Sequence, residues 1–185
     1  MPFAYYARLS ARDKRIYRRS DAIERVELPD AAALRPLVDE VATALGEEDR
    51  YATARASQRL ADGLLAQLAL PPVRISVLAA RPSHDWGELH GYYDPTREGV
   101  RPTITLWMRT AQRKQVVAFR TFLRTFLHEI GHHLDYELLK LEETFHTDGF
   151  YKRESSLFRQ LVGGSAENAP QPPEKRRRRA SDPVP

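Results

Sequence analysis

The apolar residues of this chain change their spacing twice, and that change limits its fold more than any other feature. From Asp30 to about Leu70 they recur at helical intervals, Leu34, Leu37, Val38, Val41 and Leu45 first and then Leu60, Leu64, Leu65 and Leu68. Asp30 is a good N-cap for the first segment, Pro36 marks a place where it restarts, and Pro71 with Pro72 closes the second. The pair reads as a helical hairpin. Between Val73 and Met108 the period falls to two. "VRISVLAA" (73–80), "ELHGYY" (88–93) and "TITLWM" (103–108) read as strands, the last two joined by the turn-rich "DPTREGVRP". From about Gln112 the helical period returns, with Phe119, Phe122, Leu123, Phe126, Ile130, Leu134, Leu138 and Leu141 on one stripe. A break near "ETFHTDG" precedes a last helix, "FYKRESSLFRQLV" (150–162). Residues 1–28 are rich in Arg and Tyr and show no clear period. The expectation is an α+β fold: a helical N-terminal region over residues 1–70 and a compact mixed core over 71–162.

From Gly163 onward, "GGSAENAPQPPEKRRRRASDPVP" has almost no apolar content, so residues 163–185 are expected to be a disordered basic tail. The net charge of +4 equals what "EKRRRR" alone contributes, so the rest of the chain is close to neutral. The run at 175–179 is a candidate contact for DNA or another nucleic acid through phosphates, and equally an incidental solubilising tail. No apolar run approaches the roughly 18 residues needed to cross a bilayer, which argues against a membrane protein. The start lacks the pattern of a secretory signal, so the expected location is cytoplasmic. With no cysteine in 185 residues, disulfides and thiolate ligands are excluded, and any transition-metal site must use His, Asp or Glu.

The residues that carry chemistry lie in "LHEIGHHLDY" (127–136). On a helix, His128 and His132 stand one turn apart on the same side, where one ion can accept both imidazoles at about 2.0–2.1 Å. Glu129, about 100° around the helix, can reach a water on that ion without ligating it and act as general base. This is the H-E-x-x-H arrangement. The bland alternative is a polar patch on an amphipathic helix. Against it, the flanking stripe is apolar enough to bury the helix, and Gly131, which costs a helix interior about 1 kcal/mol relative to Ala, suggests that something packs closely there.

"HEIGHHLDY" resembles the active-site helix of the zincin metallopeptidases, and the strand, hairpin and helix order is similar to the small zincin core. The resemblance covers about residues 73–162 and says little about residues 1–70. It implies a zincin-like fold, a catalytic Zn2+, a protein or peptide substrate, and hydrolysis with Glu129 as general base. It also implies a strand that binds substrate backbone, a role assigned here to "TITLWM".

A catalytic zinc keeps three protein ligands and an open fourth position, so a third ligand is needed. Asp135 and Leu138 stand where the metzincins have Gly and His, which rejects that clan. His146 follows His132 after enough chain to turn back and is the expected ligand; "FHTDGFYKR" resembles the SprT-like proteases, with a histidine, a glycine and then an aromatic that opens a helix. SprT-like proteases act on proteins attached to DNA, a reading with which the basic tail is consistent. Glu154 is the reserve, as in gluzincins, whereas Glu142 and Glu143 are expected to lie too near the active-site helix. His133 reads as a hydrogen-bonding neighbour, Asp135 as an orienting partner of His132 or a solvated residue, and His84 and His90 as minor candidates. Tyr136, Tyr151 and Arg153 are candidate donors to a developing oxyanion. The competing class is a zincin-fold binding or regulatory module without turnover.

Overall fold

The computed structural model describes residues 3–84, 87–95 and 100–163, with the side chains of 83, 84, 87 and 88 outside that description. The basic run at 175–179 lies outside it too. After a 3₁₀ turn at Ala4–Arg8, the helices are α1 (Ala11–Asp21), α2 (Ala31–Gly46) and α3 (Arg50–Gln67). Strands β1 (Arg74–Ala80), β2 (Ser83–His84), β3 (Gly87–Glu88), β4 (Gly91–Asp94) and β5 (Thr103–Arg109) follow, then α4 (Phe119–Glu137) and α5 (Asp148–Val162). The described chain is a mixed α+β structure, and no described helix is long and apolar enough to cross a membrane.

Local chemistry explains most of the boundaries. Asp30 and Asp49 cap α2 and α3 by accepting from the backbone N–H of Ala33 and Ala52. Helix α2 continues straight through Pro36 rather than restarting. Burial of Leu34, Val38, Val41 and Leu45 outweighs the roughly 3 kcal/mol that an interior proline costs. Helix α1 lies in a stretch without readable period, because it buries only Ile16, Tyr17 and Ser20. Its start is marked instead by Ser10, which accepts from the N–H of Asp13. The stretch expected as one strand at 88–93 is split between β3 and β4.

The main sheet has the order β1-β5-β4, with β1 parallel and β4 antiparallel to β5. This corrects one expectation. Strand β5, "TITLWM" with Arg109, has a partner on each side, Ile104 facing Ile75 on one and Tyr93 on the other, so it cannot accept a third chain. Among the described residues, β4 is the edge strand nearest α4, and its Tyr93 N–H meets Glu129 of that helix. The opposite edge is closed by side chains from α3. Gln58 donates to Val73 O (2.9 Å) and accepts from Ile75 N (2.8 Å), and Arg50 donates to Val77 O (3.1 Å).

Helix α4 begins at Phe119, later than the period suggests. The segment before it returns to the end of β5, where Val117 N–H donates to Met108 O and Thr110 N–H to Gln115 O. That strand-like pairing keeps the backbone out of the helix until Ala118. One apolar cluster then joins α2, α3, the sheet, α4 and α5, running from Val26 to Leu161, with Leu60, Leu64, Leu123, Leu127, Ile130 and Leu157 fully excluded from solvent.

Candidate metal centre

Helix α4 presents His128, Glu129 and His132 near its middle. The chain leaves it through Lys140, which adopts a left-handed conformation (φ 48°), while Leu141 N–H donates back to Asp135 O at 2.9 Å. Residues 142–147 then run back along the helix, and Thr147 caps α5 by accepting from Phe150 N (2.9 Å). His146, the residue before that cap, is thereby held over His128 and His132.

The three imidazoles converge through the same atom. His146 Nε2 lies 3.0 Å from His128 Nε2 and 3.2 Å from His132 Nε2. A tetrahedral ion with bonds of about 2.0–2.1 Å sets its ligand nitrogens about 3.3 Å apart, so the spacing fits one. Among the described residues this is the one group of three or more His, Asp or Glu side chains close enough to share an ion. Phe150 forms its floor, its ring centroid 5.0, 4.9 and 5.3 Å from those of His128, His132 and His146. Gly131 makes that floor possible, since a Cβ there would come within 2.9 Å of Phe150 Cζ. Burial and the two neighbouring imidazoles push His132 down to about 3, which keeps its ring neutral.

The far ring nitrogens have their own partners. His128 Nδ1 is 3.2 Å from Glu154 Oε2, and His132 Nδ1 is 2.8 Å from Thr144 Oγ1. Glu154, the reserve ligand, therefore sits behind His128, on the side away from the convergence point. Glu142 and Glu143 lie beyond the end of α4 rather than on it. They turn outwards, Glu142 to Arg19 and Glu143 to Tyr136 and the backbone of Thr144.

Glu129 is 5% exposed and lies between α4 and β4, where its carboxylate accepts the backbone N–H of Tyr93. Burial pushes its carboxyl up to about 7, with the His128 charge and the Tyr93 amide opposing the shift. A cleft of about 560 Å³ opens in front of the triad, walled by β4 on one side and by Arg124, Tyr136 and Thr144 on the other.

The remaining candidates are placed as follows. His133 is fully buried and points elsewhere: its Nε2 donates to Pro71 O (2.9 Å), which leaves Nδ1 to accept from Tyr93 OH (3.1 Å). Asp135 is buried and reaches His132 only through Thr144. Tyr136 lines the cleft, with its OH donating to Glu143 (3.0 Å) and pushed up to about 12 by burial. Tyr151 stacks on His146 at 5.9 Å. Arg153 is not available to the cleft: it is 1% exposed, turned inward, and its Nη1 and Nη2 donate to Asp135, Ser20 and Ile23. His90 lines the cleft beside β4, and the His84 side chain lies outside the described set. Sequence reasoning missed Gly91, Tyr93 and Thr144, which become significant only once β4 and the 142–147 segment are folded onto α4. Compared with known proteins, the chain matches no family model, no curated protein and no solved structure.

Proposed function

We propose that this chain is a zinc-dependent peptidase with a zincin-like core. The observation that carries the reading is the convergence of three imidazole Nε2 atoms beside the buried Glu129 carboxylate, in a cleft bounded by β4. The donor set suits zinc: three imidazoles, no thiolate, and spacing for tetrahedral bonds with one position left over. When bound there by His128, His132 and His146, zinc supplies Lewis acidity and makes water a nucleophile at neutral pH.

The protein's own groups account for the rest of the reaction. An extended substrate segment laid along β4 passes in front of Glu129 and the triad, with the main-chain groups of β4 that Glu129 does not engage as its partners. Glu129 takes the proton from the attacking water at its carboxylate and returns it to the leaving amine. Burial pushes the Glu129 carboxyl up to about 7 in the metal-free protein, and a cation held by the triad would pull it back down, towards the carboxylate that a general base requires. Of the three candidate donors named from the sequence, Tyr136 is the one that lines the cleft, and its hydroxyl would serve the developing oxyanion only after leaving Glu143.

The decisive experiment is elemental analysis of the purified full chain together with a cleavage assay on the parent and Glu129→Gln. One zinc per chain in both proteins, with hydrolysis by the parent and a rate at least about a hundredfold lower in the variant, is the expected result. A parent without stoichiometric metal ends the proposal. Zinc in both proteins with equal cleavage, or with none on protein substrates and in self-cleavage, moves the chain to the class of non-catalytic binding modules.

A further inference from the structure

We infer that Thr144 is a positioning residue that fixes the tautomer of His132, by passing the demand for a proton from the imidazole to the buried Asp135. The inference rests on the metal-site reading above and deepens it. A threonine hydroxyl has one proton and two lone pairs. Thr144 Oγ1 donates that proton to Asp135 Oδ2 at 2.8 Å. Its 2.8 Å contact with His132 Nδ1 must then be filled by a proton from the imidazole. With Nδ1 protonated, the neutral His132 ring carries its lone pair on Nε2, the atom aimed at His146 and His128.

Asp135 holds its acceptor role because its other oxygen is engaged. Arg153 Nη2 donates to Asp135 Oδ1 at 2.7 Å, and both side chains are almost wholly buried, at 1% and 0% exposure. Burial pushes the Asp135 carboxyl up, and the guanidinium and the threonine hydroxyl oppose that shift. Arg153 is fixed in turn by the carbonyls of Ser20 and Ile23 and by the Ser20 hydroxyl (3.0 Å), at the C-terminal end of α1. The hydrogen-bonded series therefore runs His132, Thr144, Asp135, Arg153, α1. It gives the N-terminal region a part in the site: α1 anchors the arginine that orients the carboxylate that orders the histidine. On the other face of the triad, Glu154 plays the simpler version, accepting directly from His128 Nδ1.

The test compares the parent, Thr144→Val and Thr144→Ser as full chains. Valine keeps the shape and removes the hydroxyl, while serine restores the hydroxyl without the methyl. Nitrogen-15 NMR of the histidine rings in the metal-free proteins reads the tautomer directly. The parent and serine forms are expected to show His132 protonated at Nδ1, and the valine form to show a mixture or the opposite tautomer. Zn2+ affinity, measured by competition with a chromophoric chelator, is expected to fall about 10–100-fold in the valine form and to recover with serine. Protonation of His132 at Nε2 in the parent, or a valine form unchanged in both tautomer and affinity, overturns the inference. If Thr144→Val does not fold, Thr144→Ala makes the same comparison with space left instead of a methyl. A parent that shows the expected tautomer yet binds no Zn2+ sinks the metal reading alone.

Discussion

Gly91 of β4 stands directly against Glu129 of α4: a Cβ at position 91 would lie 2.4 Å from Glu129 Oε1 and 2.8 Å from its Cγ. The edge strand and the carboxylate thus share a space that admits no side chain. This contact sets how close β4 can approach the triad, and so where a peptide alongside β4 would run. It also explains a glycine in a strand, where the residue otherwise weakens the structure.

Gly91→Ala is therefore expected to displace Glu129 while leaving the triad intact. The carboxylate must shift by a sizeable fraction of its own width, and a misplacement of about 1 Å at a reacting group costs about a hundredfold in rate. The measurement is cleavage rate beside zinc stoichiometry. Hydrolysis should fall by about that factor with one zinc still bound per chain. The second obstacle to the new methyl is Thr125 Cγ2, also 2.8 Å away, so adding Thr125→Ser should restore part of the rate. An alanine variant as active as the parent would mean that Glu129 does not need its present position.

A second pair of variants separates ligand from neighbour. His146→Ala removes one of the converging nitrogens, whereas Glu154→Gln alters a group behind His128 but keeps an oxygen that accepts from Nδ1. The first should abolish stoichiometric zinc, and with it the gain in melting temperature that added zinc gives the parent; the second should keep both. Thermal melts with excess zinc and with excess chelator read this out. A zinc-dependent shift that survives in His146→Ala and vanishes in Glu154→Gln would exchange the two roles and make Glu154 the third ligand.

What the sequence disclosed, and what it hid, follows from how local each determinant is. The histidine pair and Glu129 were legible because their relationship is set by a single helix turn. Helices α2 and α3 were legible through their apolar stripes and through Asp30. His146 was legible as a candidate because it follows a helix break with enough chain to turn back, although its convergence depends on the left-handed turn at Lys140, a residue type that gives no signal of one. Strand β5 was identified but given the wrong neighbourhood: alternation reveals which residues face the core, not whether a strand is central. Helix α1 gave no readable period because its few buried residues are offset by a run of arginines. Thr144, Gly91 and Gln58 matter only through partners between 9 and 38 positions away in sequence, and nothing in their neighbourhoods announces those partners.

Gly131 supplies a third prediction, in which helix propensity and packing oppose each other. Alanine is better than glycine in a helix interior by about 1 kcal/mol, so propensity alone says that Gly131→Ala stabilises. The new methyl would meet the buried Phe150 ring at 2.9 Å, and that ring is hemmed in by three imidazoles. Overpacking in such a place costs about 1–3 kcal/mol, which outweighs the gain. The variant should melt lower than the parent and bind zinc more weakly, because the ring moves into the triad. Combining it with Phe150→Leu should recover part of both losses. A Gly131→Ala protein that melts higher with undiminished zinc affinity would show that the floor is looser than the contact implies.

The last prediction concerns the closed edge of the sheet. Gln58 satisfies a donor and an acceptor of β1 at once, taking the place of a neighbouring strand at Val73 and Ile75. Gln58→Ala leaves both backbone groups half-buried without that partner, at a cost of about 1–3 kcal/mol in stability. It also exposes a strand edge that another chain can pair with. Chemical denaturation should therefore show the loss in stability, and light scattering should show concentration-dependent association below the unfolding midpoint. Zinc binding in the monomer should stay unchanged, because β1 lies on the far side of β5 from β4 and the cleft. Gln58→Glu is the informative companion: it keeps the acceptor for Ile75 N–H but sets a charged oxygen against Val73 O and the Asp62 carboxylate, to both of which Gln58 Nε2 donates, so near neutral pH it should cost at least as much as alanine. Equal stability across all three proteins would show that solvent replaces the glutamine and that β1 is closed by α3 as a whole rather than by this side chain.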